Sequence, residues 1–419
     1  MTITPGREPT NEVRDTKRTT CCIVGGGPGG AVLALLLARK GLNVTLLEAH
    51  PDFDREFRGD TLHPSVMEIM DQLGLAERLL ELRHSKVSSF TLQTAKGPFN
   101  PVDLSRLNTK FPYITVMPQK NFLEFITDEA KKYPGFRLVM GARVRELVEE
   151  DGAVRGVYYE SEDGRHEVRA ALTVGADGRG SRTRKLAGIE PVKTSPPMDV
   201  LWFRLPREPG DPEGVVGQFG RGHIAIMLDR DDHWQAGYVI PKGTFPELRH
   251  EGMEELRRQF AELIPAFANR LGHLTDWRQV SLLSVESSRC PTWHKPGLLL
   301  IGDAAHVMSP VAGVGINYAI QDAVEAANVL TGPLRESQER LVDVDERHLA
   351  AVQRRRELPT RVIQAAQAQI QRNVLAPALR SNEPFTPPLP LRLLPRIPIL
   401  RDVPGRLIGF GLRPARLKD

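Results

Sequence analysis

TTCCIVGGGPGGAVLALLLARKGLNVTLLEAH, residues 19–50, reads as strand, glycine turn, helix and second strand. The apolar run Cys21–Val24 precedes Gly25, Gly27 and Gly30, which make the spacing G-x-G-x-x-G. A helix is expected over Gly29–Lys40 with Gly41 as its C-cap, and a strand over Val44–Leu47. Glu48 closes that strand, 18 residues after Gly30. In such a unit the helix N-terminus takes a pyrophosphate, the glycines let backbone and ligand approach, and the terminal acid meets ribose hydroxyls. A glycine triplet alone is weak evidence. Strand, helix and acid at the right spacing together predict a bound dinucleotide.

The rest of the chain has room for more than this unit. Its 419 residues fit two closely packed domains, or one large α/β domain with an inserted sheet. Apolar content of 41% and charged content of 26% describe a globular protein. The balance of 56 basic against 52 acidic residues leaves +4, without a dense basic block, so nucleic acid is not implied. Cys21, Cys22 and Cys290 make no disulfide framework and read as buried thiols of a reducing compartment. The polar first 19 residues form no signal peptide and read as a disordered leader, and no apolar run is long enough to span a bilayer. Cytoplasmic placement is the expectation.

Moving outward, Arg58 stands in FRGDTLHPSVMEIMDQLGL, before a helix that Pro64 begins and Gly74 ends. It is either a cation for a pyrophosphate or a surface arginine; His63 beside it is read as packing. Gln119 opens an amphipathic helix with Phe122, Phe125 and Ile126 on one face. Strands follow at 137–140, 144–149, 154–159 and 171–175, with hairpin signals at Asp151-Gly152 and Asp163-Gly164. The last strand runs into Asp177-Gly178, a turn, with Arg182 near the start of the next helix. From 199 to 240 the pattern turns strand-rich and reads as an inserted antiparallel sheet roofing a pocket. Gln218, Met227, Trp234, Gln235 and Tyr238 are its candidate inward side chains, and one slip of register swaps the set. Residues 278–287 read as a strand returning to the first domain.

A second decisive stretch is GLLLIGDAAHVMSPVAGVGIN, residues 297–317. An apolar strand ends at Gly302-Asp303, a glycine-spaced loop passes Gly313 and Gly315, and a helix opens at about Asn317. A carboxylate at a strand end can accept hydrogen bonds from a polyol. Glycines admit a flat ring, and a helix N-terminus favours an anionic one. Such a site suits reduced flavin; alternatively Asp303 is an N-cap in a buried strand–turn–helix. Beyond it, a helical run from Gln338 to about Val374 is expected to break at Pro359. A Pro-, Arg- and Leu-rich tail from Asn382 then packs across the domains or touches a membrane surface weakly.

Three separated segments, the glycine turn with Glu48, Asp177-Gly178 and Gly302-Asp303 with its loop, resemble the aromatic-hydroxylase class of FAD-dependent monooxygenases. The likeness is to enzymes similar to p-hydroxybenzoate hydroxylase and covers roughly residues 20–330. It implies an α/β (α+β) fold: a Rossmann-like FAD-binding domain over 20–195 and 278–335, with an excursion at about 87–118. A substrate-domain β-sheet over 196–277 and a C-terminal helix and Pro-rich tail over 336–419 complete it. It further implies that Gly25, Gly27 and Gly30 hold the FAD pyrophosphate, Glu48 the adenosine ribose, Arg58 the diphosphate and Gln119 the flavin chain. Asp177 and Gly178 would serve FAD and the visiting NADH or NADPH, with Arg182 in the NAD(P)H groove. Asp303 would bind the ribityl hydroxyls and Pro310 the reactive edge. Gly315 and Ile316 would meet the pyrimidine end with Asn317 beside the ring, and Gly313 in the same loop would let the flat ring approach. Gln218, Met227 and Gln235 are the substrate-pocket candidates.

The implied reaction inserts one atom of O2 into an aromatic, phenolic or quinone-like molecule through a flavin C4a-hydroperoxide. No side-chain nucleophile or metal is needed, and His306 reads as structural. One complete dinucleotide fingerprint leaves NAD(P)H a transient groove. A monomer or homodimer would serve. Rival readings are a flavin-dependent reductase of isoprenoid double bonds, a halogenase, or a non-catalytic flavin-binding protein that sequesters a small molecule. WQAGYVIP (234–241) carries one Trp where halogenases show W-x-W-x-I-P.

Overall fold

The computed structural model describes residues 13–54, 60–94, 97–211, 214–220, 222–230, 232–381, 383–393, 397 and 401–418. Its centre is a parallel array in the order Leu298–Leu300, Gly164–Gly175, Val13–Val24, Val44–Leu47 and Phe136–Val139. Two antiparallel strands, Arg143–Glu150 and Ala153–Ser161, run back from Gly164–Gly175 as a meander. The first strand therefore lies inside the sheet. The chain next builds outward on one side through Val44–Leu47, then crosses to the other through Gly164–Gly175. Reversal of strand order at that point leaves a crevice at the carboxyl ends of the strands.

Both faces of the array are covered, which explains why Cys21–Val24 is continuously apolar rather than alternating. Cys21 packs with the helix Pro28–Arg39 on one face, and Cys22 packs against Val157 and Val168 of the meander on the other. All three cysteines are buried free thiols. Burial pushes Cys22 up to about 12 and Cys290 up to about 11, so neither ionises near neutrality.

A second, seven-stranded sheet runs in the order Ser281–Leu283, Met198–Pro206, His233–Pro241, Ile224–Asp229, Val215–Phe219, Ser89–Thr94 and Gly97–Asp103. Its pairs are antiparallel except Val215–Phe219 with Ser89–Thr94. The strands before residue 104 thus complete the sheet formed after residue 197. Leu201, Phe203, Met227, Trp234 and Tyr238 turn toward Met253–Leu263 and its neighbours, giving this sheet its own core.

Four expectations change. Residues 13–19, assigned to a disordered leader, extend the first strand, because Thr16–Thr19 pair in register with Glu167–Ala170. Residues 278–287 do not form one returning strand: Trp277–Gln279 is a helical turn, and Ser281–Leu283 pairs with Met198–Pro206 in the second sheet. Pro359 breaks nothing, since the helix Glu346–Ile370 passes through it and packs the ring in its buried face. The helix expected at about Asn317 starts at Gly315 and runs to Arg340.

Candidate functional site

Every motif singled out by spacing lies at the carboxyl ends of the parallel strands. In neighbouring positions the backbone bonds Gly25 N–H to Leu47 O (2.7 Å), Ala176 N–H to Val24 O (2.7 Å) and Ile301 N–H to Gly175 O (3.0 Å). Glu48, the glycine turn, Asp177-Gly178 and Gly302-Asp303 therefore stand in one row. Three inter-strand steps make that row roughly 14 Å long.

The glycines divide their labour. A Cβ on Gly25, at φ +104°, would lie 2.5 Å from Ala176 O, and one on Gly30 would lie 2.0 Å from Gly25 O. Both positions require glycine for the turn to close. A Cβ on Gly27 would meet nothing within 4 Å, so the middle glycine faces open space at the start of Pro28–Arg39. Closure by the first and third, with an open approach at the second, is what a pyrophosphate at a helix N-terminus needs. Glu48 is 3% exposed, and its carboxylate accepts from Gly26 N–H (2.8 Å) and His50 N–H (2.9 Å). These residues fit an adenine dinucleotide.

Asp177 is committed locally. It accepts from Ser181 Oγ (2.5 Å) and from both the N–H and Oγ1 of Thr183 (2.9 and 3.0 Å), fixing the turn that carries Gly178 and the helix Arg182–Leu186. Arg182 is exposed, 3.4 Å from Arg145 O. Arg184, two residues on, is buried and donates to Ala304 O (2.9 Å) and Arg179 O (3.0 Å), tying this turn to the Gly302–Ala304 turn. No sequence pattern singled it out.

Asp303 is half-buried in that second turn. Beneath it, Asp322 accepts from Gly302 N–H (3.0 Å), His306 Nε2 (2.6 Å) and Arg356 Nε (2.8 Å), all of them buried. His306 is thus structural, as its sequence context suggests. Although complete burial opposes it, interactions with His306 and Arg356 hold the Asp322 carboxyl below the usual range. Ala319 in the long helix abuts both Gly29 and Gly302, where added Cβ atoms would lie 3.0 Å from its carbonyl and 2.9 Å from its methyl. Three motifs distant in sequence meet there.

The loop before the long helix is strained: Ala312 and Gly313 are both left-handed, at φ 66° and 62°. Gly313 O receives Thr61 Oγ1 (3.0 Å) and Asn317 Nδ2 (3.3 Å), while Asn317 Oδ1 accepts from His63 N–H (2.7 Å). Asn317 is buried and acts as a strut for the loop. Pro310 is exposed, and Gly315 and Ile316 are half-buried at the helix start. His63 donates Nδ1–H to Ile408 O (2.8 Å), and burial pushes it down to about 4. Gln119 opens its helix with its N–H 3.3 Å from Asp60 Oδ1, one residue from Thr61. Arg58 lies outside the described residues.

The second sheet faces this loop with one side only. Val311 packs against the cluster of Val200, Phe219, Ile224 and Val239. Of the three substrate-pocket candidates, Gln235 lies on that side. Met227 and Gln218 do not: Met227 is buried among Phe203, Trp234 and Phe260, and Gln218 pairs with Ala225 on the same helix-covered face. Alternation along the strands decides this, and the register was not legible beforehand.

A row of dinucleotide-binding turns and a glycine loop opposite an apolar sheet define a flavoprotein of the Rossmann-like kind. The FAD binding domain family matches residues 18–366, and the chain belongs to that family, within its aromatic-hydroxylase monooxygenases. FAD is its cofactor. It is 33% identical over 392 residues to the 6-methylpretetramide 4-monooxygenase of Streptomyces rimosus, covering 93% of this chain and 92% of that protein. It is 27% identical to the 3-demethoxyubiquinol 3-hydroxylase of Escherichia coli K12, covering 72% and 76%. Among solved structures, the anhydrotetracycline hydroxylase OxyS of Streptomyces rimosus superposes with TM-score 0.71 at 23% identity, over 94% of this chain and 76% of that one. No helix among the described residues is long and apolar enough to cross a membrane.

Proposed function

We propose that this protein hydroxylates a polycyclic phenolic or quinone-like molecule, using O2 and either NADH or NADPH, in the cytoplasm and as a monomer or homodimer. The observation that carries the reading is the row of cofactor motifs ending at a glycine loop that faces an apolar sheet. The relatives named above are oxygenases and hydroxylases, one of them similar along nearly its whole length.

FAD, when bound, supplies the electron transfer and oxygen chemistry. The chain binds, orients and shields. Gly27 admits the pyrophosphate to the helix Pro28–Arg39, with Gly25 and Gly30 closing the turn, and Glu48 accepts from the adenosine ribose. Asp303 takes ribityl hydroxyls, with Gln119 along the same chain. The N–H groups of Gly315 and Ile316, at the start of a 26-residue helix, favour negative charge on the pyrimidine end. Preorganised donors of this kind contribute roughly 3–4 kcal/mol where water is excluded. Pro310 borders the reacting edge, and Gly313 and Asn317 hold the loop's shape. Asp177 and Gly178 keep the cofactor turn in place, and exposed Arg182 offers a charge to a transient nicotinamide dinucleotide. Arg58 is the further cation this reading assigns to the diphosphate.

The test is oxidation of NADH and NADPH in air by the purified holoenzyme across a panel of phenols, naphthols and anthraquinones, with product mass recorded. Ligand-stimulated oxidation with a gain of one oxygen atom is the expected result. An oxygen-independent reaction adding two hydrogens would instead identify a reductase.

A further inference from the structure

The sheet face that meets Val311 is apolar apart from a few groups near one end. Trp202 lies on it, paired with Gly237, and its six-membered ring covers that glycine, where a Cβ would come within 2.8 Å of the ring. Trp202 Nε1 is shielded from water and has no acceptor among the described residues. An indole nitrogen only donates, so among the described residues this N–H is left unsatisfied. Gln235, the diagonal neighbour of Trp202 through the Arg204 pair, shares its face.

Arg230 stands five residues before Gln235, its side chain 8% exposed. Its Nε and Nη2 donate to Gln235 Oε1 (2.9 and 2.8 Å), and Nη2 also meets Asp60 in a buried ion pair. Nη1 is buried without a partner among the described residues. Asp60 is covalently next to Thr61, whose hydroxyl binds the carbonyl of Gly313 in the flavin loop. The guanidinium is thus locked along one edge, beside the loop, with a donor left over. Buried donors without acceptors are rare and costly, and two on one side of one sheet call for an acceptor from outside the chain.

We propose that Trp202 Nε1 and Arg230 Nη1 recognise the oxygen-bearing edge of the substrate, selecting a flat polycycle with at least two ketone, phenol or phenolate oxygens along that edge. This rests on the proposed monooxygenase reading and adds specificity-determining residues to it. Gln235 and Asp60 act through Arg230, as positioning residues. The half-buried apolar side chains beside them on this face, Ile226 and Leu228, accept the ring surface and give no discrimination between oxygenated and plain rings, whereas Val200, Phe219, Ile224 and Val239 are covered by Ala378, Leu379 and Phe385.

The experiment measures binding to the oxidised holoenzyme without NAD(P)H, from the change in flavin absorbance, so that turnover plays no part. The probes are 1,8-dihydroxyanthraquinone and anthracene. The parent enzyme should bind the oxygenated probe more tightly. Trp202→Phe, which keeps a ring over Gly237, should weaken that probe about tenfold and leave anthracene unchanged. Arg230→Lys, which keeps a charge for Asp60, should act in the same direction. Equal losses for both probes, no loss for either, or no preference in the parent would overturn the proposal. Oxygen uptake on the same preparations separates the two readings: selective binding without ligand-stimulated uptake would remove the monooxygenase assignment and leave edge recognition standing.

Discussion

Gly30 has the least freedom of any residue in the cofactor turn, because its missing Cβ would overlap the Gly25 carbonyl at 2.0 Å. Gly30→Ala must therefore open the turn, and the purified variant should carry less than a tenth of the FAD of the parent, read from absorbance at 450 nm against 280 nm. His63 makes a second residue-scale prediction. Its side chain is buried neutral and held down to about 4, whereas the unfolded chain titrates near 6.5. Above pH 6.5 both states are neutral. As pH falls below that, the unfolded state binds the proton first, and stability is lost progressively until about pH 4. The loss attributable to this one group is on the order of 3 kcal/mol. His63→Gln should flatten the fall in thermal midpoint between pH 6.5 and 4.5; an unchanged slope would mean that other groups dominate acid unfolding.

At the scale of elements, the register of the second sheet sorts side chains that look equivalent in sequence. Gln218 and Met227 turn toward the helix Met253–Leu263, so Gln218→Ala should leave KM for the hydroxylated substrate within twofold of the parent. Met227→Ala should cost about 2–5 kcal/mol of stability with the same indifference in KM. A large KM effect at either position would reverse the assignment of faces. The glycine turn and the Gly302–Asn317 stretch were legible because their constraints are local: a φ that only glycine adopts, a strand end, a helix start. The face of a strand pair was not, because alternation gives two sets and only pairing with a particular neighbour selects one. Pro359 was misread for a related reason. Its helix is stabilised by packing of Leu349, Val352 and Ile363, a tertiary contribution that outweighs local propensity.

On the whole-molecule scale, the end of the chain belongs to the cofactor region. Ile408 O receives His63, Phe410 O receives Gln321, Gln321 accepts from Ala415 N–H, and Asn328 bonds with Arg416 and Lys418. This packing across the long helix is the outcome expected of a tail rich in proline, which cannot form a sustained amphipathic helix. Removing residues 401–419 should uncover Tyr318 and Gln321, lower the thermal midpoint by several degrees and raise the rate at which FAD dissociates on dilution. Retention of FAD equal to the full chain would show that the tail only decorates the surface. The Asp322–His306–Arg356 cluster works at this scale too, since it fastens two C-terminal helices to the turn bearing Asp303.

The sequence by itself determined the βαβ unit, the glycine loop before the long helix and the α/β class, because each is written in short-range spacing of glycines, apolar runs and a terminal acid. Only the tertiary structure decided that Thr16–Thr19 join the first strand, that strands before residue 104 complete the second sheet, and that Arg184, Asp322 and Arg230 matter. Each carries a charge made tolerable in the interior partly by a partner distant in sequence: Ala304 for Arg184, Arg356 for Asp322 and Asp60 for Arg230. A buried charge has no local signature: its partner is chosen by the fold, and until the chain closes it reads as one more polar residue on the surface.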